Sequence, residues 1–314
     1  MSFVRTVRGD VDTSDLGFCY AHEHLIIDGP YVNAKFPEFV LDSVELAVQE
    51  LHGVYDAGVR AMVDSMPTDA GRDARKLAEL SWETGIHIVG PTGLHLSIYY
   101  EPGHWSETID DEALTKRFVT EIEEGMVDGG VQTGVRAGVI KVAGGHTKLS
   151  EYEQRNFRAA GRAQAQTGSP ILTHTEQGTA ALEQVGILTS SGATTDHIVL
   201  SHLDRNPDVG YHREVLSTGV GLEFDSAFRW GDRQNQTLNL IHQLFPDFPD
   251  QIVLGMDAAR RSYWKVYGGK PGMAFLATEF RKTLLDVGLS ETDLERIFIR
   301  NPSQYYSFKR NQDV

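Results

Sequence analysis

Eight short apolar runs recur along the chain, separated by stretches of helical length and period, and this alternation constrains the fold more than any other feature. The runs cover residues 18–27, 59–65, 86–92, 137–142, 171–175, 198–202, 220–225 and 252–257. Segments 43–56, 72–84, 111–127, 151–166 and 178–190 between them carry the apolar spacing of amphipathic helices. Short strands alternating with such helices predict parallel pairing through crossover connections. Gly58, Gly85, Gly192 and Gly219 each follow a helical stretch, where a left-handed cap is expected before the next strand. Eight units of this kind predict an α/β fold closed as a (β/α)8 TIM barrel, a single domain over residues 1–314. An open doubly wound sheet is the runner-up, but no glycine fingerprint opens its first βα turn. The polar tail from Lys309 to Val314 is expected to fray.

Charge and cysteine usage narrow the partners. A net charge of −15 argues against nucleic acid, because phosphate backbones need clustered Lys and Arg. Cys19 is the single cysteine, so no internal disulfide framework exists; it reads as a small buried hydrophobe in a reducing compartment. No run approaches the ~18 apolar residues of a membrane span, and the N-terminal segment lacks a secretory pattern. These features predict a cytoplasmic protein acting on a small molecule, with no nucleic-acid or membrane partner.

The polar residues that close the apolar runs carry the chemistry. His22 and His24 are two apart near the end of the first run, so strand alternation points both rings to one face, the barrel interior. Two imidazoles crowded there need partners for four ring nitrogens. His174, His202 and Asp257 close later runs at the same end, the C-terminal face on which barrel enzymes keep their active sites. Together they predict a metal site.

Lys141 is the most informative residue, since it places an ammonium inside the apolar stretch Gly138-Val-Ile-Lys-Val142. Burying that charge costs several kcal/mol unless it is paired or neutralised. It can be a Schiff-base lysine of an aldolase-type barrel, a salt-bridged structural residue, or a lysine carboxylated by CO₂ that bridges two metals. The four histidines and Asp257 favour the third, because an aldolase lysine has no use for them.

At this point the chain resembles the phosphotriesterase family of the amidohydrolase superfamily, through Ala21-His-Glu-His-Leu25, the Lys141 strand, Thr173-His-Thr175, Ser201-His-Leu203, Gly255-Met-Asp257 and Asn301-Pro302. The resemblance implies that His22, His24 and Asp257 ligate one metal ion, His174 and His202 a second, and N6-carboxylated Lys141 bridges both. It implies hydrolysis by a metal-bridging hydroxide with Asp257 as proton acceptor, and it points to a homodimer. Zn²⁺ is the expected ion, with Mn²⁺ and Co²⁺ compatible with the same ligands. The mononuclear deaminase type is disfavoured, because the segment after His174 reads Thr-Glu-Gln177 and lacks its acid/base signature.

The substrate has to be read from the loops. Arg260, Arg261, Tyr263 and Lys265 fall within a few residues of Asp257, with Arg229 after the seventh run, and predict a clamp for an anion. The loop resembles that of the subgroup that hydrolyses phosphorylated sugar lactones. In the branch that opens acyl-homoserine lactones a tyrosine and an arginine shape the site, where this chain carries His95 and Phe224. Organophosphate hydrolases have apolar pockets that suit a cationic loop poorly. The leading expectation is a phosphorylated sugar lactonase, with those two activities and a Schiff-base aldolase as alternatives. His95, Tyr99, Tyr100 and Asp204 are further pocket candidates, Trp230 and Trp264 candidate walls. His87 and His197 read as structural, and His52, His212 and His242 as exposed or capping.

Overall fold

The eight apolar runs form eight parallel strand passages in the computed structural model, which describes residues 2–231 and 234–308. We number the strands β1 (Phe18–Glu23), β2 (Val59–Asp64), β3 (His87–Val89 continuing as Pro91–Leu94), β4 (Val139–Gly144), β5 (Ile171–Thr175), β6 (Ile198–Ser201), β7 (Gly221–Phe224) and β8 (Ile252–Leu254). Each pairs in parallel with the next, with β3 interrupted at Gly90. The barrel closes where the Met256 and Asp257 N–H groups reach His22 O at 3.2 and 3.1 Å. The predicted tail, 309–314, lies outside the described residues.

Alternation sorts the strand residues into two cores. Cys19, Ala21, Ala61, Val63, Val89, Val139, Leu172, Val199 and Val253 fill the barrel interior, joined from below by Tyr305 and Tyr306. Their intervening neighbours, such as Met62, Ile140, Leu200 and Leu222, face the surrounding helices. The helices begin where short polar side chains satisfy free N–H groups: Ser43 before Val44–Asp56, and Ser150 with Glu153 in a reciprocal cap before Glu151–Thr167. Gly85 closes Ala74–Thr84 at φ 74°, and Gly58, Gly192 and Gly219 also take positive φ.

An N-terminal hairpin, Phe3–Thr6 and Gly9–Asp12, with Ser307–Phe308 paired on its edge, has no counterpart in the expected strands. Its strands are short and its alternation weak, so periodicity does not mark it. It is tied to the barrel floor by Val7 N–H to Ile88 O, 2.8 Å. No helix among the described residues is long and apolar enough to cross a membrane.

Candidate metal centre

Above the apolar layers the inward positions turn polar: Lys141 on β4, His174 on β5, Ser201 on β6 and Glu223 on β7, all buried. On β1 a register shift between Tyr20 and Glu23 interrupts alternation and brings His22 and His24 to the same place. His22 Nε2 lies 3.8 Å and His24 Nε2 3.1 Å from Asp257 Oδ1. The His22 ring is 4.8 Å from that of His202, which is 4.6 Å from that of His174. His202 and Asp257 hold positive φ, 66° and 47°, at the ends of β6 and β8; backbone strain of this kind gathers at functional sites, where surrounding structure pays for orientation. The structure therefore brings His22, His24, Lys141, His174, His202 and Asp257 together at one end of the barrel.

Charges around this cluster are unevenly neutralised. Arg205 and Arg229 donate to Asp257 Oδ2 at 2.7 and 2.8 Å. Burial raises the Asp257 carboxyl, but Arg229, the bond to His24 and the neighbouring cations outweigh it and hold the group well below the usual carboxylate range. Among the described residues Lys141 has only the Thr173 carbonyl, 3.4 Å away, within hydrogen-bonding reach. Burial pushes its ammonium down to about 8 against the pull of Glu223, Asp257 and Asp225. His24 Nδ1 is buried with no hydrogen-bond partner among the described residues, and no N–H or hydroxyl among them donates to either buried Glu223 oxygen. Imidazoles and carboxylates this close, several of them unsatisfied, are the donor set of a divalent metal such as Zn²⁺.

Burial also sets a pH limit on the metal-free protein. His202 is pushed from near 6.5 down to about 3, first by burial and then by Arg205, and burial places His22 well below its ordinary value too. Below pH 6.5 the unfolded chain takes up protons that the folded rings refuse, so this stability is present above 6.5 and lost as pH falls toward 3. The metal-free protein should melt several degrees lower at pH 5 than at pH 7.5 in scanning calorimetry; an unchanged midpoint would contradict neutral buried rings.

A cavity of about 250 Å³ opens beside the cluster. Phe39, Met66, Tyr99 and His95 line it together with Arg205, Arg229, Arg260 and Tyr263. Of the predicted clamp, Arg229, Arg260 and Tyr263 line this cavity, whereas Arg261 and Lys265 do not. Arg261 turns away to Val40 O and the Asp42 carboxylate, 2.6 and 3.0 Å. The Lys265 stem lies over Gly272, where an added Cβ would meet it at 2.7 Å. Both belong to short 3₁₀ turns whose geometry, unlike strand alternation, cannot be read from spacing.

Other assignments shift as well. Phe224 faces outward against His212, 6.0 Å between rings, and has no part in the pocket; its neighbours Glu223 and Asp225 point inward instead. His212 is buried between the carbonyls of Asp208 and Leu203 rather than exposed. Tyr100 supports the pocket from behind, its hydroxyl accepting the His95 N–H at 2.8 Å, and Asp204 caps Ser226. Trp264 is buried behind the loop and Trp230 is bonded to Thr237, so neither lines the cavity. Arg205, Asp225 and Glu223 went unnoticed in the sequence; alternation along 220–225 was the signal for the two acids, and nothing flagged Arg205.

Comparison with known proteins agrees with this geometry. The model of the phosphotriesterase family matches residues 2–306. A phospho-furanose lactonase of Mycoplasmopsis synoviae (strain 53) is 33% identical, over 99% of this chain and 94% of its own. A solved lactonase from Listeria monocytogenes superposes with a TM-score of 0.91 at 31% identity, covering 98% of this chain and 100% of that one. The phosphotriesterase homology protein from Escherichia coli, solved with phosphate in its active site, gives 0.86 at 30% identity over 94% of this chain and 100% of that one.

Proposed function

The chain belongs to the phosphotriesterase family of metal-dependent hydrolases, and on that premise we propose that it opens the ring of a phosphorylated sugar lactone at a binuclear metal centre. The observation that carries the reading is the cavity wall. In a chain of net charge −15, three guanidiniums, those of Arg205, Arg229 and Arg260, line the same cavity of about 250 Å³ as the histidine cluster, with Tyr263 beside them. That volume and charge suit a small ring bearing an anion better than a long acyl chain or an apolar triester. The phospho-furanose lactonase relative and the phosphate-bound neighbour support the same substrate class.

In this reading His22, His24 and Asp257 would hold one ion, His174 and His202 the other, and Lys141, carboxylated at Nζ, would serve both. When bound, two divalent ions supply Lewis-acid polarisation of the lactone carbonyl and acidify the attacking water. The protein's own groups do the rest. Arg229, Arg260 and Tyr263 hold the phosphate, with Arg260 also stacked over Phe39 at 5.0 Å. Phe39, Met66 and Tyr99 exclude bulk water from the reacting ester. Asp257 takes the proton released as water adds to the carbonyl carbon and returns it to the ring oxygen as the C–O bond breaks. Asp225, against His202 Nδ1, leaves the other ring nitrogen free for a metal.

The test is hydrolysis of five-carbon 1,4-lactones with and without a 5-phosphate by the Zn²⁺- or Mn²⁺-loaded enzyme. We expect kcat/KM at least about tenfold higher for the phosphorylated lactone, the worth of one charge-assisted hydrogen bond. Arg260→Ala should remove about a tenfold advantage through KM and leave the unphosphorylated lactone unaffected. Equal kcat/KM on both lactones would remove the phosphate from the account.

A further inference from the structure

Strand β7 and the residue that follows it contribute no ligand to the predicted metal set, yet they aim two carboxylates into the cluster. Glu223 and Asp225 are two residues apart, both fully buried, and each sits against a different histidine. Asp225 Oδ2 meets Nδ1 of His202. Glu223 Oε2 is 3.4 Å from Nδ1 of His22, which Ser201 Oγ also approaches at 2.8 Å. In each case the carboxylate addresses Nδ1 and leaves Nε2 directed elsewhere; for His22, Nε2 is the nitrogen facing Asp257. The two rings fall on opposite sides of the proposed division of ligands between the ions.

Glu223 is an expensive residue to keep in this place. No N–H or hydroxyl among the described residues donates to either of its oxygens, and the side chain it bonds is another acid, Asp225; a buried carboxyl in that condition costs stability unless something else requires it. The surrounding backbone is shaped to admit it. At Gly255 an added Cβ would fall 2.8 Å from Glu223 Oε1 and 2.7 Å from His22 N and O, so only glycine lets β8 pass this close to Glu223 and His22 together. A structural acid would be bonded to a cap or a guanidinium, as Glu121 is to Arg72 at 2.7 Å.

We propose that Glu223 is a positioning residue for the metal ion held by His22: with Ser201 it grips Nδ1 of His22, fixes the ring's tautomer and directs Nε2 to the ion, as Asp225 does for His202 and the second ion. The inference rests on the binuclear reading above. One strand, with the residue that follows it, thus sets the affinity of each ion separately, through one acid per histidine.

Metal content measured on the full-length protein by mass spectrometry after equilibration with graded zinc and a competing chelator tests it without recourse to activity. The parent protein should hold two equivalents; fewer than two would overturn the binuclear reading itself. Given two, Glu223→Leu should weaken one ion about 10- to 100-fold, the usual effect of losing a carboxylate behind a ligating histidine, and leave the other within about threefold. Glu223→Gln, which keeps an acceptor but not the charge, should fall between. Asp225→Asn should weaken one ion likewise, and the double variant both. Unchanged affinity in Glu223→Leu, or equal weakening of both ions by that substitution alone, would overturn the role assigned to Glu223 while leaving the binuclear centre standing. Circular dichroism and melting of each variant separate these outcomes from unfolding.

Discussion

Replacing Lys141 by methionine should give a folded protein, more heat-stable than its parent when metal-free, whose turnover has fallen by at least about a thousandfold. The two halves of this expectation have separate causes. Lys141 is fully buried, and its nearest oxygen partner is a backbone carbonyl at 3.4 Å. Burial has lowered its ammonium from 10.5 to about 8, a penalty on the folded state of order 3 kcal/mol at neutral pH. Methionine matches the volume of the stem without that penalty, and apolar replacement of buried charge is often stabilising. A lysine kept for stability would not show such a gain.

Activity should go the other way because Lys141 is the proposed shared ligand and methionine offers the ions no anion in its place. Loss of a bridging ligand removes metal as well as rate, so inductively coupled plasma analysis should show fewer than two equivalents in Lys141→Met, and added zinc should restore little. A Schiff-base aldolase would also lose turnover on this substitution. It would, however, keep full activity in chelator and be trapped by borohydride with a keto-sugar phosphate; either result would remove the hydrolase reading of Lys141. A variant as active as its parent would remove any catalytic or metal-holding role.

How much of this was legible in the sequence follows from which physics governs each residue. The position of the C-terminal face was enough to group His22, His24, Lys141, His174, His202 and Asp257, because each closes or interrupts an apolar run; alternation orients only Lys141 and His174, whereas a register shift on β1 and the positive φ of His202 and Asp257 orient the other four. The eight strands were legible because the same runs mark them. The hairpin at residues 3–12 was not, because two short strands with little apolar contrast look like a loop. Loop residues were half legible. Charge density near Asp257 marked the cationic wall, but Arg260 and Tyr263 face the cavity while Arg261 pairs with Asp42. That difference is decided by the fold of a single 3₁₀ turn. Arg205 was invisible because its importance comes from Asp225 and Asp257, both distant in sequence.

Arg205 bears directly on the last expectation, that Asp257→Asn lowers kcat by about 10²- to 10⁴-fold, the usual worth of a proton-transfer group, while ligand binding survives. Asn is among the few residues that tolerate the positive φ of 47° held at this position, so the backbone should stand. The amide can keep one acceptor oxygen toward His24 or the arginines, now 3.1 and 2.7 to 2.8 Å away. What it cannot do is carry a proton from water to the departing ring oxygen. Two guanidiniums on Oδ2 hold the Asp257 carboxylate ionised in the metal-free protein, which makes it a strong ligand but a reluctant base. To accept a proton it must give up part of that grip. Arg205 retains Asp225 at 3.2 Å when it does so, whereas Arg229, on the cavity wall, would turn to the phosphate of the proposed substrate. Proton transfer would then be coupled to phosphate binding, and the kcat deficit of Asp257→Asn should be larger on the phosphorylated lactone than on the plain one. Steady-state kinetics on both substrates, with calorimetric binding of the ring-opened phosphorylated product, separates the cases. Unimpaired kcat with two metals bound would exclude Asp257 as the proton carrier, and an equal deficit on both lactones would exclude its coupling to Arg229.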